Sequence, residues 1–326
     1  MATTTVRYLG LELTSPVILA SSGLTSSVDG ARRAEDAGAG AVVLKSLFEE
    51  QIAAESSLSE EEADYSIHPE AEQYIREMGM HLGPDDYLRL ITATKESVAI
   101  PVIASVNCIS PRWWESYGRQ IATTGADALE LNIALMPRES TLDRDIEAAY
   151  CRIIEQVRSR VDLPLAVKIG PYFTDLPAFT SRLQKAGADA LVLFNRFYQL
   201  DIDVNALELA PGYRFSTPAE LHTPLRWISI LSGVLDTDLA ASTGVHSGAD
   251  VAKMLLAGAA VAQVCSAVYQ HGHERISAMN ADLAGWMDAH GFASIGDFRG
   301  RLSQTATGEP EAHERLQYIR ALTGIS

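Results

Sequence analysis

Residues 186–195 read AGADALVLFN. A helix-compatible stretch runs into Gly187, and an apolar run then closes on a polar residue, Asn195. Glycine ends a helix by taking the left-handed conformation. A short, continuous apolar run behind it reads as a parallel strand buried on both faces. The pattern recurs as AGAGAVVLKS from Ala37, TGADALELNI from Thr124 and AGAAVAQVCS from Ala257. Three more runs, PVIASVN from Pro101, PLAVKIG from Pro164 and DLAASTGV from Asp238, follow helix-like segments ending near Val98, Val161 and Leu235. SPVILASSG from Ser15 supplies an eighth strand. Eight such units in 326 residues without a composition break predict an α/β fold, a (β/α)8 barrel forming one domain over residues 1–326. A doubly wound open sheet is the alternative, and it does not account for eight units. VRYLGLELTSP reads as an N-terminal hairpin capping the barrel bottom. Two long excursions, residues 47–84 and 197–222, leave strand C-terminal ends, where barrels of this kind build their sites.

Charge and cysteine usage narrow the partners. The formal net charge of −16 disfavours nucleic acid and anionic membrane surfaces, leaving a small molecule as the expected partner. Cys108, Cys151 and Cys265 are far apart, which fits free thiols in a reducing compartment. The start, MATTTVRYLG, lacks a basic segment and an apolar segment, and no apolar run is long enough to span a bilayer, so a cytoplasmic location is expected. The acidic run EEEADYSIHPEAE matches no metal-ligand spacing and reads as a solvated face. HGH at 271–273 lacks a third ligand and reads as surface. No metal is expected.

In a barrel, the polar residues at the strand ends converge: Ser21 and Ser22, Lys45 and Ser46, Asn107 and Cys108, Asn132, Lys168, Asn195, Ser242 to Gly244, and Cys265 with Ser266. Each lysine alone could reach solvent and each asparagine could cap a helix. Buried together, they need partners. A planar, polar, anionic ligand satisfies the set. STGVHSGAD places Gly244 and neighbouring amides before a helix beginning near Ser247, and with CSA after strand eight this reads as a phosphate pocket.

These residues resemble the dihydroorotate dehydrogenase family, most closely its soluble FMN-binding first class, over nearly the whole chain. SPVILASSG, VVLKS, EMGMHLGPDDYL, ELN, PLAVKIGPYF, STGV, QVCSAV and GFASIGDFRGRL carry the likeness in order and spacing. The resemblance implies FMN on top of the barrel, with Ala20, Ser21, Lys45, Ser46, Asn107, Asn132, Lys168 and Phe194 around its ring and ribityl chain. It implies Gly244, Val245, Cys265 and Ser266 at the phosphate, Lys168 stabilising the reduced ring, and a homodimer. Substrate contacts fall on Met78, Gly79, Asn132 and Asn195. The absence of a GxGxxG motif after a strand also argues for a mononucleotide over FAD or a nicotinamide.

The substrate side departs from the family. Aligned without a gap, Leu135 stands where the family has a Cys or Ser base, Met136 replaces a proline, and Pro137 and Arg76 replace substrate asparagines. A leucine cannot take a proton. Candidate catalytic groups are then His81, Cys108 and Lys45, with Arg76 as a carboxylate clamp. The expected function is FMN-dependent hydride exchange with a dihydropyrimidine-like or other small anionic substrate. The alternatives are a flavin-free phosphate-substrate lyase or isomerase working through a lysine Schiff base, and a non-catalytic flavin-binding subunit.

Overall fold

The computed structural model describes residues 2–52, 83–108, 117–135, 145–196, 199–212, 214–307 and 310–324. A two-stranded hairpin, β1 (Val6–Tyr8) and β2 (Leu11–Leu13), precedes the first barrel strand, β3 (Val17–Leu19). The other barrel strands are β4 (Ala41–Val43), β6 (Val102–Cys108), β7 (Ala128–Ile133), β8 (Leu165–Ile169), β9 (Ala190–Leu193), β12 (Asp238–Ser242) and β13 (Val261–Val264). Each pairs in parallel with the next, and β13 returns to β3, so eight strands close a (β/α)8 barrel. Closure removes the free sheet edges that an open arrangement would expose. A short strand, β5 (Leu47–Phe48), leaves β4 and pairs with β6. The hairpin β10 (Gln199–Asp203) and β11 (Glu208–Gly212) forms the second excursion.

The repeated motif sets the register. Gly38, Gly125, Gly187 and Gly258 have φ of +84°, +85°, +114° and +120°. They precede strands beginning at Ala41, Ala128, Ala190 and Val261, always three residues on. Left-handed backbone at each glycine turns the chain from helix to strand at little steric cost.

The second residue after each glycine explains how the repeats differ. Asp127 accepts hydrogen bonds from the Val102 amide (2.8 Å) and from Lys95 Nζ (2.6 Å). Asp189 accepts from the Leu165 amide (2.8 Å) and from the Arg158 guanidinium. Each carboxylate thus ties the start of the preceding strand to the end of the helix before it, Pro84–Lys95 or Ile146–Arg158. In the first repeat this position is Gly40, where a Cβ would sit 2.0 Å from the Ser15 carbonyl oxygen, so no side chain fits. A third carboxylate, Asp238, accepts the Leu9 amide at 3.0 Å and fastens the hairpin beneath the barrel. Tyr8 of that hairpin is fully buried.

The predicted hairpin, eight strands and helix-ending glycines are present. One surface reading is corrected: His273 is only 8 % exposed, because it lies where the helices Ser266–His271 and Glu274–Ala289 meet. Burial holds its imidazole below the usual range. The acidic run in the first excursion lies outside the described residues.

Asp127→Ala should leave the Val102 amide and Lys95 without their acceptor, lowering stability by about 1–3 kcal/mol. Chemical denaturation should show a lower midpoint with an unchanged slope; an unaltered midpoint would remove the brace assigned to this carboxylate.

Candidate functional site

The C-terminal strand ends surround a pocket lined by Ala20, Ser21, Lys168, Phe194, Asn195, Gly244, Val245, Cys265 and Ser266, nine of the predicted cofactor and substrate residues. Arg196, Ser216, Ser242, Thr243 and Gln263 complete much of the wall. A strand end is a rigid place for such groups, because its backbone is fixed by neighbours on both sides.

Lys168 is 7 % exposed, so it does not reach out to solvent. Its Nζ donates to Gln263 Oε1 at 3.3 Å and stands 3.8 Å from Glu130 Oε1. Gln263 Nε2 donates in turn to Glu130 Oε2 at 2.6 Å. A buried ammonium needs such compensation. Asn107, Asn132 and Lys168 are register partners on β6, β7 and β8 and form one row across the sheet. Asn195 Nδ2 donates to Asn132 Oδ1 at 2.8 Å, fixing both amides and leaving Asn195 Oδ1 and Asn132 Nδ2 with capacity for a ligand. Neither asparagine is serving as a helix cap.

Ser21 and Ser46 join their hydroxyls at 3.0 Å, and Ser46 continues to Ser105 at 2.7 Å. Ser21 also accepts the Ser46 amide at 2.9 Å, so Ser46 acts by holding Ser21 in place rather than by lining the pocket. Ser22 caps the turn Gly23–Thr25 and is structural. Lys45 is half-buried beside Ser46.

At the other end, the chain turns sharply after β12. Thr243 and Gly244 both have positive φ, +82° and +80°. For a threonine this conformation costs roughly 1–3 kcal/mol and persists only where surroundings enforce it. Here the Thr243 hydroxyl donates to the Phe194 carbonyl at 3.0 Å, and a Cβ on Gly244 would meet the Leu221 amide at 2.3 Å. Ser266 Oγ accepts the Ser216 amide at 3.0 Å, and Ser216 Oγ meets His246 Nε2 at 3.0 Å. Burial holds the His246 imidazole below its usual range and pushes the Cys265 thiol up, so both are neutral near pH 7. A neutral thiol beside an anion site avoids the repulsion a thiolate would bring.

The helix predicted to begin near Ser247 is present directly after the Thr243–Val245 turn. The helix Gly248–Ala257 is capped by Ser247, and Asp250 Oδ2 accepts from the Ser247 hydroxyl (2.8 Å) and the His246 amide (3.2 Å). Burial works against that carboxyl, but hydrogen bonds from Ser247, Lys253 and His246 keep it below the usual range. That carboxylate braces the turn into the helix. The Thr243–Val245 turn and Ser266 are the donors left facing the pocket.

Arg76, Met78, Gly79 and His81 lie outside the described residues, as do Met136 and Pro137. Cys108 ends β6, and its side chain is likewise not described. Leu135 is half-buried and packs against the core. Among the described residues no cluster of three metal-ligating side chains occurs, and no helix is long and apolar enough to cross a membrane.

Sequence reading missed Glu130, Gln263, Arg196 and Ser216. Glu130 was visible as an acid inside an apolar strand, a costly placement that should have flagged it. Arg196, bonded to Glu220 at 2.9 Å, adds a second cation directly after Asn195. A larger groove of about 910 Å³ lies elsewhere, between the helices His222–Leu231, Gly248–Ala257 and Pro310–Thr323. Its wall mixes apolar and charged side chains and holds none of the strand-end residues.

Comparison with known proteins places this architecture. The pattern of the family described as dihydroorotate dehydrogenase matches residues 3–287. A catalytic subunit of dihydroorotate dehydrogenase B (NAD(+)) from Methanosarcina acetivorans is 28% identical over 294 residues, covering 88% of this chain and 92% of that protein. The protein of the same name from Methanocella arvoryzae is 31% identical over 268 residues, 80% of this chain and 85% of its own length. By that match over most of its length, the chain, a closed barrel, belongs to the dihydroorotate dehydrogenase family.

Proposed function

We propose that this chain is an FMN-dependent oxidoreductase that exchanges hydride between the flavin and a small dihydropyrimidine-like or other anionic substrate. The observation that carries the reading is the buried Lys168 beside the coupled amides of Asn132 and Asn195. The donor set fits the cofactor. One end of the pocket offers an ammonium, the Asn195 amide held by Asn132, and the Ser21 hydroxyl, which suit a planar ring with several acceptors. The other offers the Thr243–Val245 turn and the buried Ser266 hydroxyl, which suit a phosphate.

When bound, FMN supplies the hydride chemistry; the chain supplies placement. Lys168 sets a positive charge against the ring, Ser46 holds the Ser21 hydroxyl, and Asn132 with Asn195 orients a substrate amide or carboxylate. Arg196 favours an anionic substrate at the same mouth. Leu135 cannot carry a proton, so we assign the proton transfer to another loop, with His81 first and Cys108 second. We assign Lys45 a reach to both cofactor and substrate on the family resemblance. Arg76, Met78 and Gly79 remain the proposed substrate loop.

We further propose one domain over residues 1–326, a cytoplasmic setting and a homodimer. Leu200, Ile202 and Leu209 on the β10–β11 hairpin are 58%, 57% and 69% exposed, an apolar surface that a second copy would cover.

Heat-released ligand should have the mass of FMN; recovery of FAD, or failure to bind flavin on reconstitution, would exclude the cofactor. Lys168→Ala should weaken FMN binding or slow flavin reduction about tenfold or more, since the cation beside the ring is lost. Anaerobic titration with dihydroorotate, other dihydropyrimidines and NAD(P)H should bleach the flavin with one donor class, and His81→Ala should then cut turnover about a hundredfold. Dihydroorotate oxidation at an ordinary rate with His81→Ala unaffected would contradict the proton assignment. Light scattering should report a dimer that Leu209→Asp shifts toward monomer.

A further inference from the structure

Glu130 sits on β7 in the barrel interior, 1 % exposed, where a carboxylate is costly unless it serves a neighbour. Its two oxygens face Lys168 by different routes. Oε2 accepts from Gln263 Nε2 at 2.6 Å, and the same Gln263 amide presents its oxygen to Lys168 Nζ at 3.3 Å. Oε1 stands 3.8 Å from Lys168 Nζ and has no hydrogen-bond partner among the described residues. Gln263 therefore works as a fixed bridge: its amide cannot flip without placing N–H against the ammonium and oxygen against the carboxylate. Tyr8 from the hairpin below, Tyr87 from the helix Pro84–Lys95 and Ser105 from the paired strand β6 stand around Glu130, and none of them brings a charge.

The lysine thus has two faces. Above it is the pocket; below it is an anion, and burial of both side chains leaves the pair little screened by bulk solvent. Charges this close partly cancel when felt from the pocket. We propose that Glu130, relayed by Gln263, is a positioning residue that draws Lys168 down and offsets its charge, holding the reduction potential of the bound flavin below the value an uncompensated lysine would set. The proposal rests on the flavin reading above and adds to it a group that never touches the cofactor.

The test is the two-electron midpoint potential of the flavin-loaded protein, measured by dye equilibration in wild type, Glu130→Asp and Glu130→Gln. Glu130→Gln removes the charge but keeps an acceptor for Gln263, and should raise the potential by about 30 mV or more, a tenfold shift in the reduction equilibrium. Glu130→Asp keeps the charge on a shorter arm and should give a smaller rise, which also keeps the test open if the amide variant fails to fold. In a Lys168→Met background the Glu130→Gln shift should fall to less than half. A potential unchanged or lowered in both Glu130 variants overturns the proposal, as does an equal shift without the lysine. Absence of flavin from wild-type protein would instead remove the cofactor reading itself, an outcome distinct from bound flavin with an unmoved potential.

Discussion

Burying a lysine inside a closed barrel is possible only with compensation close at hand, and this constraint organises the centre of the molecule. The compensation at Lys168 comes from Glu130 on the adjacent strand and Gln263 across the barrel. Those positions have meaning only if the strands keep their register, because a slip of one residue would turn each side chain to the outer face. The register in turn depends on the glycines that start each strand three residues later and on the aspartates that brace the strand beginnings. The charge at the top of the barrel is therefore supported by bonds at its bottom.

The two ends of the pocket offer a ligand different chemistry. The Lys168 end has a formal cation and amides already bonded to each other, so little side-chain freedom is lost when a ligand arrives. The other end uses backbone turned into an unfavourable conformation at Thr243 and Gly244, and neutral thiol and imidazole groups around it. Fixed dipoles there replace mobile charge, while Asp250 is occupied with its own helix end and Glu220 with Arg196.

Much of this was legible in the sequence, and the reasons are local. A glycine ending a helix before an apolar run is a short-range signal that marks four strands, and the other four show as apolar runs of their own, so eight strands and their C-terminal polar residues could be read directly. Lys168, Asn195, Gly244 and Ser266 were found because each ends or follows such a run. Glu130 and Gln263 stand inside the strands, 133 positions apart, and their partnership appears only when the barrel closes. Ser46 was read as a ligand contact but reaches the pocket through Ser21, a distinction that depends on side-chain direction. Asp250 was unremarkable as the fourth residue of a helix start, yet its carboxylate braces the turn through the Ser247 hydroxyl and the His246 amide. His273 was assigned to the surface by its neighbours in sequence, whereas a helix junction buries it.

The braces at Asp127, Asp189 and Asp238 all lie at the strand N-termini, on the side of the barrel away from the pocket. Because they hold the strands without using any residue of the upper loops, those loops are free to change without loosening the frame. A lineage carrying this scaffold could exchange one substrate for another through a few loop substitutions while its cofactor platform persisted. The separation of frame from face is thus a source of evolutionary latitude, and an engineer could use it by grafting new loops onto an unaltered floor.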